Sequence, residues 1–144
     1  DLKNINRKKL RKSIIHSDLG DSNLLFKNNN LVAIIDWDDA HRDYLIYELS
    51  AVISSFFISK DLVKKEQIKL FLKHYQKELK INPEEKKALY YFIKDRIIKA
   101  LIWCVEQQKE HKKRRKEIQK WIDDYLMRLD SFNRMDPKEF LSLF

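Results

Sequence analysis

The stretch His16-Ser17-Asp18-Leu19-Gly20-Asp21-Ser22-Asn23 is a short polar loop, and the residues after it decide the fold. Leu24, Leu25 and Phe26 come next, then Asn28, Asn29 and Asn30, then the apolar run Leu31 to Ile35 and the triplet Ile35-Asp36-Trp37. Two short apolar runs around an Asn-rich turn predict a β-hairpin. Such a hairpin returns the chain, so Asp36 at the end of its second strand comes back beside the loop it left. Upstream, Lys3 to Lys12 is polar and basic and reads as the tail of a preceding element, with Ser13, Ile14 and Ile15 leading into the loop.

Everything after Tyr44 reads as helix. Leu45 to Ile58 is apolar on most sides, as a buried helix requires. Asp61 is the expected cap of a second helix carrying Ile68, Phe71, Leu72, Tyr75 and Leu79 at helical spacing. Asn82, Pro83 and two glutamates form a strong helix start, with acids near the positive end of the dipole. That third helix is predicted to run to about Glu110. A fourth keeps Ile118, Trp121, Ile122, Tyr125, Leu126 and Leu129 on one face, and a short last helix starts at Asp136 and Pro137. The expected class is mainly α, a helical lobe with a small β-hairpin.

One Gly and two Pro in 144 residues suit long helices and not a sandwich with many tight turns. The net charge of +8 would suit a polyanion, but the basic residues are spread along the helices. The densest cluster, Lys112 to Lys116, sits in no nucleic-acid module and reads as a solvated helix junction. No nucleic-acid partner is expected. Cys104 cannot pair within the chain and reads as a buried, inert thiol. His41, His74 and His111 lack the company of a zinc site, and Trp103 and Trp121 read as core residues. The longest apolar stretch, Leu49 to Ile58, is too short to cross a membrane. No membrane partner and a cytoplasmic location are expected.

The loop and Asp36 together carry chemistry. Phosphoryl transfer from ATP needs a carboxylate that orients the acceptor hydroxyl and takes its proton, and oxygen ligands that hold Mg²⁺ against the phosphates. Asp18 and Asn23 supply a base and an uncharged metal ligand on one compact loop, and Asp36 adds a second metal-binding carboxylate. Asp38 and Asp39 directly follow it and can face a substrate; their charge would suit an amine-bearing acceptor.

The pattern H-x-D-x-x-x-x-N, a hairpin, then I-D-W resembles the catalytic and metal-binding loops of the aminoglycoside phosphotransferase and choline kinase family, which shares its fold with protein kinases. Ile35-Asp36-Trp37-Asp38-Asp39-Ala40 and Tyr47-Glu48-Leu49-Ser50 are similar to that family's I-D-[FW]-x-x-A and Y-D-L-A stretches, with Glu48 where the family usually has Asp. The specific resemblance spans residues 13 to 58, and the helical tail from Phe71 to Val105 looks most like the type II homoserine kinase branch. The resemblance implies Asp18 as catalytic base, Asn23 and Asp36 as metal ligands, and His16 as a brace of the loop. ATP and Mg²⁺ would be the cofactors, and the acceptor a small-molecule alcohol such as homoserine, an aminoglycoside or a choline-like amino alcohol. Asp38 after Asp36-Trp37, and the prompt return to helix, leave no room for a protein kinase's activation segment.

The family's nucleotide site needs an N-terminal lobe with a phosphate-covering loop and a strand Lys. Nothing before Ser13 can hold one, so residues 1–144 read as a C-terminal catalytic lobe, inactive alone, whose missing partner lobe would leave an apolar or acidic surface open near Asp18 and Asp36. The competing class is a non-catalytic binding or regulatory module derived from a kinase lobe. The intact Asp18, Asn23 and Asp36 favour the enzyme.

Overall fold

The computed structural model describes residue 3 and residues 5–144; Asn4, within the predicted basic tail, lies outside the described residues. The chain makes strands β1 (Lys12–Ile15), β2 (Leu24–Lys27), β3 (Asn30–Ile34) and β4 (His41–Tyr44). Helices α1 (Leu45–Phe56), α2 (Lys65–Glu78), α3 (Pro83–Glu110), α4 (Arg115–Asn133) and α5 (Pro137–Leu141) come after them. It is mainly α, as the sequence predicts.

The hairpin is present. β2 and β3 pair antiparallel, with Leu24 opposite Ile34 and Lys27 opposite Asn30. The tight connection is Asn28-Asn29, both at positive φ (49° and 62°). Asn tolerates the left-handed region, and a two-residue turn that is left-handed at both positions matches the strands' twist. A second antiparallel pair joins β1 to β4, with Ile15 opposite His41 and Lys12 opposite Tyr44. The sequence does not announce β4: His-Arg-Asp-Tyr has no apolar alternation, and it is extended because β1 needs a partner for its backbone.

The core lies between α1, α3 and the C-terminal helices. Ile46, Leu49 and Ile53 of α1 meet Leu89, Ile93 and Ile97 of α3, and Phe132 and Phe140 close the far side. Side chains of this size each stabilise by about 1.5–3 kcal/mol when fully buried. α1 is buried almost all round, and its two buried serines return their hydroxyls to the helix, Ser50 Oγ to Tyr47 O (2.6 Å) and Ser54 Oγ to Ala51 O (3.0 Å).

Asn82 caps α3 as expected. Its side chain accepts from the amides of Glu84 and Glu85, and Glu85 Oε2 accepts from Asn82 N in return. Asp136 caps α5 through Lys138 N (2.7 Å). Asp61 does not cap the second helix. Ile58 and Val63 form an isolated antiparallel bridge that holds the intervening residues in a turn, so α2 begins at Lys65 with no side-chain cap. Trp103 is not a core residue either: it is 52% exposed and stacks on the half-buried Trp121 at the surface. Leu126, expected on the buried face of α4, points outward, while Ile118, Ile122 and Cys104 form a small second core. Burial alone raises the Cys104 thiol's pKa, as suits an inert group. No helix among the described residues is long and apolar enough to cross a membrane.

Candidate functional site

Three elements converge on the loop between β1 and β2. The first is α1, whose Glu48 reaches down to it. Glu48 Oε1 accepts from His16 N and Oε2 from Ser17 N, both at 2.9 Å. Ser17 has φ 74°, a conformation costly for a residue with a side chain. Two charge-assisted bonds on consecutive amides offset that strain and fix the direction in which the chain leaves β1. Glu48, at the position where the resembled family usually has Asp, thus makes a structural contact to the loop.

The second element is His16, which is 2% exposed. Its Nδ1 accepts from Asp18 N (3.3 Å), so Nε2 carries the proton and donates to Ile35 O (2.8 Å). Its ring also leans on Trp37, with centroids 4.8 Å apart. One neutral imidazole therefore spans from the Asp18 loop to the residue immediately before Asp36. Asp36 itself turns the chain with φ 63°.

The third element is the start of β2. Asn23 is buried, its backbone carbonyl accepts from Ile35 N (3.0 Å), and its Nδ2 donates to Asp18 O (2.7 Å) and Asp18 Oδ2 (3.3 Å). Asn23 is thus bonded to Asp18 on one side and held beside Ile35, one residue from Asp36, on the other. Its Oδ1 has one long contact, from Ser22 Oγ at 3.4 Å. The exposed Asp36 carboxylate accepts no hydrogen bond among the described residues. Hard oxygen donors of this kind, one amide and one carboxylate, fit Mg²⁺ that takes its other ligands from phosphates and water. Among the described residues no three His, Cys, Asp or Glu side chains cluster as a metal site of their own.

The Asp18 side chain is 58% exposed, and Arg96 of α3 donates from Nη2 to its Oδ1 at 2.6 Å. No sequence motif marks Arg96; only its place on the helix face that α3 turns to the loop brings it there. Beside this pair opens a cavity of about 470 Å³, with Ser17, Asp18 and Asp39 at one end and α1, α3 and α4 as walls. Asp39 lines it and Asp38 does not, so the two candidate substrate-binding aspartates part company.

The hairpin carries the remaining feature. Leu25, Phe26, Leu31, Val32 and Ile35 are exposed, Phe26 by 61%, as is Ile14 on β1. Isolated apolar residues on a surface are ordinary, but this many on one hairpin make it unusually apolar for an exposed surface.

The profile of the phosphotransferase enzyme family (APH) matches residues 2–85, more than half of the chain. The match takes in the loop, the hairpin, Asp36 and Glu48, and ends at the first turn of α3. No curated protein matches the chain.

Proposed function

Because this chain belongs to the phosphotransferase enzyme family, a kinase-like class, we propose that it moves the terminal phosphoryl group of ATP onto a hydroxyl of a small molecule. Asp18 is the base in this reading, and Asn23 and Asp36 hold Mg²⁺. The supporting observation is the tie between the two loops: His16 and Asn23 each bond to Asp18 and to Ile35, so base and ligands form one rigid unit.

The acceptor hydroxyl sits at the exposed Asp18 carboxylate and gives it a proton as its oxygen forms the new bond to phosphorus. The bond from that phosphorus to the bridging oxygen of ADP breaks in the same in-line event. Bound Mg²⁺ would offset charge on the phosphate oxygens. Asn23 Nδ2 and Arg96 Nη2 both donate to Asp18 and hold its carboxylate in one orientation. Positioning of this kind supplies much of the rate in phosphoryl transfer.

The exposed hairpin is the seat of the nucleotide and of a second lobe that encloses it, whether on this polypeptide or another. Asp39 in the cavity wall suits the ammonium group of an amino alcohol, while Asp38 lies outside that wall. The homoserine kinase likeness of the helical tail falls mostly beyond the matched residues.

The test is a pair of substitutions in the active, two-lobed protein. Asp18→Ala should lose at least ~100-fold in turnover with ATP affinity nearly unchanged, the size expected for removing a positioned base. Asp36→Ala should lose magnesium-dependent nucleotide binding as well. If Asp18→Ala keeps more than about a tenth of the turnover, Asp18 is not the base.

A further inference from the structure

The part of the cavity lining that α3 and α4 supply is cationic. Arg96 and Lys99 of α3 and Arg128 of α4 all belong to it, along with Trp103 and Tyr125. Each cation is held by partners. Lys99 Nζ donates to Asp95 Oδ2 (2.9 Å) and Tyr47 Oη (3.3 Å); Arg128 Nε donates to Asp124 Oδ2 (2.6 Å) and its Nη1 to Ser54 O (3.3 Å). Neither Asp95 nor Asp124 lines the cavity, so Lys99 and Arg128 face it without their carboxylates, whereas Arg96 shares it with its partner Asp18. Lys99 keeps a third N–H and Arg128 keeps its Nη2 group for something else. Burial works against the Lys99 charge, yet the bonds to Asp95 and Tyr47 outweigh it and raise its pKa, so it stays protonated. None of the three cations falls within the part of the chain that the family profile matches.

We propose that the acceptor carries, besides its hydroxyl, an anionic group that Lys99 and Arg128 bind, a carboxylate or a phosphate, with its carbon frame lying along Trp103. The proposal rests on reading this cavity as the acceptor site beside Asp18. It reverses the emphasis of the acidic residues Asp38 and Asp39: an acceptor whose only charge is an ammonium would meet Lys99 and Arg128, whose carboxylate partners lie outside the cavity lining. Arginine and lysine side by side supply the planar fork and the point charge that oxyanions take.

A matched three-carbon panel decides it: glycerate, glycerol 3-phosphate, glycerol and 3-amino-1,2-propanediol, titrated against the purified chain by NMR or calorimetry without nucleotide. Glycerate, glycerol 3-phosphate or both should bind at least ~10-fold more tightly than glycerol and the amine, and which anion wins separates carboxylate from phosphate recognition. Lys99→Met and Arg128→Met should each erase most of that preference while binding of glycerol stays put. Lys99 is the safer of the two, because its side chain is largely exposed and its removal leaves the core intact. Equal binding across the panel, preference for the amine, no saturable binding of either anion, or an anion preference untouched by both substitutions overturns the proposal. Because no phosphoryl transfer is measured, failure here is distinct from failure of the kinase reading, which the Asp18 substitution tests by turnover.

Discussion

Two guanidinium–carboxylate pairs tie the strand region to α3, and they are built to opposite ends. In the first, Arg11 just before β1 grips Glu85 in the first turn of α3. Arg11 Nε and Nη2 reach Oε1 and Oε2 at 2.8 and 2.7 Å, and the backbone amides of Arg11 and Asn82 supply two further bonds. Glu85 is 1% exposed and has no lone pair to spare. Burial pushes its carboxyl pKa up, but the bonds from Arg11 and from both backbone amides outweigh that and hold it below the usual range. In the second pair, Arg96 makes one contact to an Asp18 that is open to solvent and keeps its remaining acceptor sites. The same chemistry yields an anchor when every site is saturated and an accessible carboxylate when some are left free.

The largest effect should come from breaking the anchor. Arg11 is partly exposed but Glu85 is buried, so Arg11→Ala strands a buried carboxylate and should destabilise the fold by about 3 kcal/mol, seen as a fall in Tm on the order of 10 °C. Arg96→Ala should shift Tm far less, because an exposed pair contributes at most about 1 kcal/mol. Equal shifts would mean that the two pairs do the same job.

The next is a pH effect. Glu85 has a folded pKa below its unfolded one, so its contribution is complete above the unfolded value and lost as pH falls through the folded one. Denaturant midpoints should therefore drop below about pH 4, and Glu85→Gln should flatten that acid limb. An unchanged limb in the variant would show that other carboxylates govern acid unfolding.

A smaller and more local effect than loss of the anchor is expected at Glu48. Glu48→Ala removes the acceptor of two backbone hydrogen bonds in a strained loop and should cost about 2 kcal/mol. Hydrogen exchange at His16 and Ser17 should quicken while α3 stays protected. Protection unchanged at both amides would remove Glu48 from its place as the loop's support.

How much of this could be read in advance varies along the chain for physical reasons. The hairpin, the Asn82 start of α3 and the loop with Asp18 and Asn23 were legible because local sequence dictates them: turn residues, a cap, a fixed spacing. β4 was not, since its extension is imposed by β1 and not by its own residues. Asp61 misled because a bridge between Ile58 and Val63, a contact across a turn, delays the helix that Asp61 would have capped. Trp103 misleads because a large ring favours the core, whereas this one stacks on Trp121 at the surface. Arg96 and Arg128 were invisible because a cavity wall is assembled from faces of helices far apart in sequence, and no spacing rule connects them to Asp18.

α3 is unbroken for 28 residues, which gives it a length of about 42 Å. Glu85 and Arg96 lie about three full turns apart along it, so they look out from nearly the same side. The anchor and the site residue are therefore in phase, like two teeth cut on one shaft. A residue inserted between them would rotate Arg96 by about 100° while leaving Glu85 seated, and would turn Lys99 and Trp103 with it. The orientation of the α3 side chains in the cavity lining is thus set at the fixed end of the helix, by a clamp that is no part of that lining.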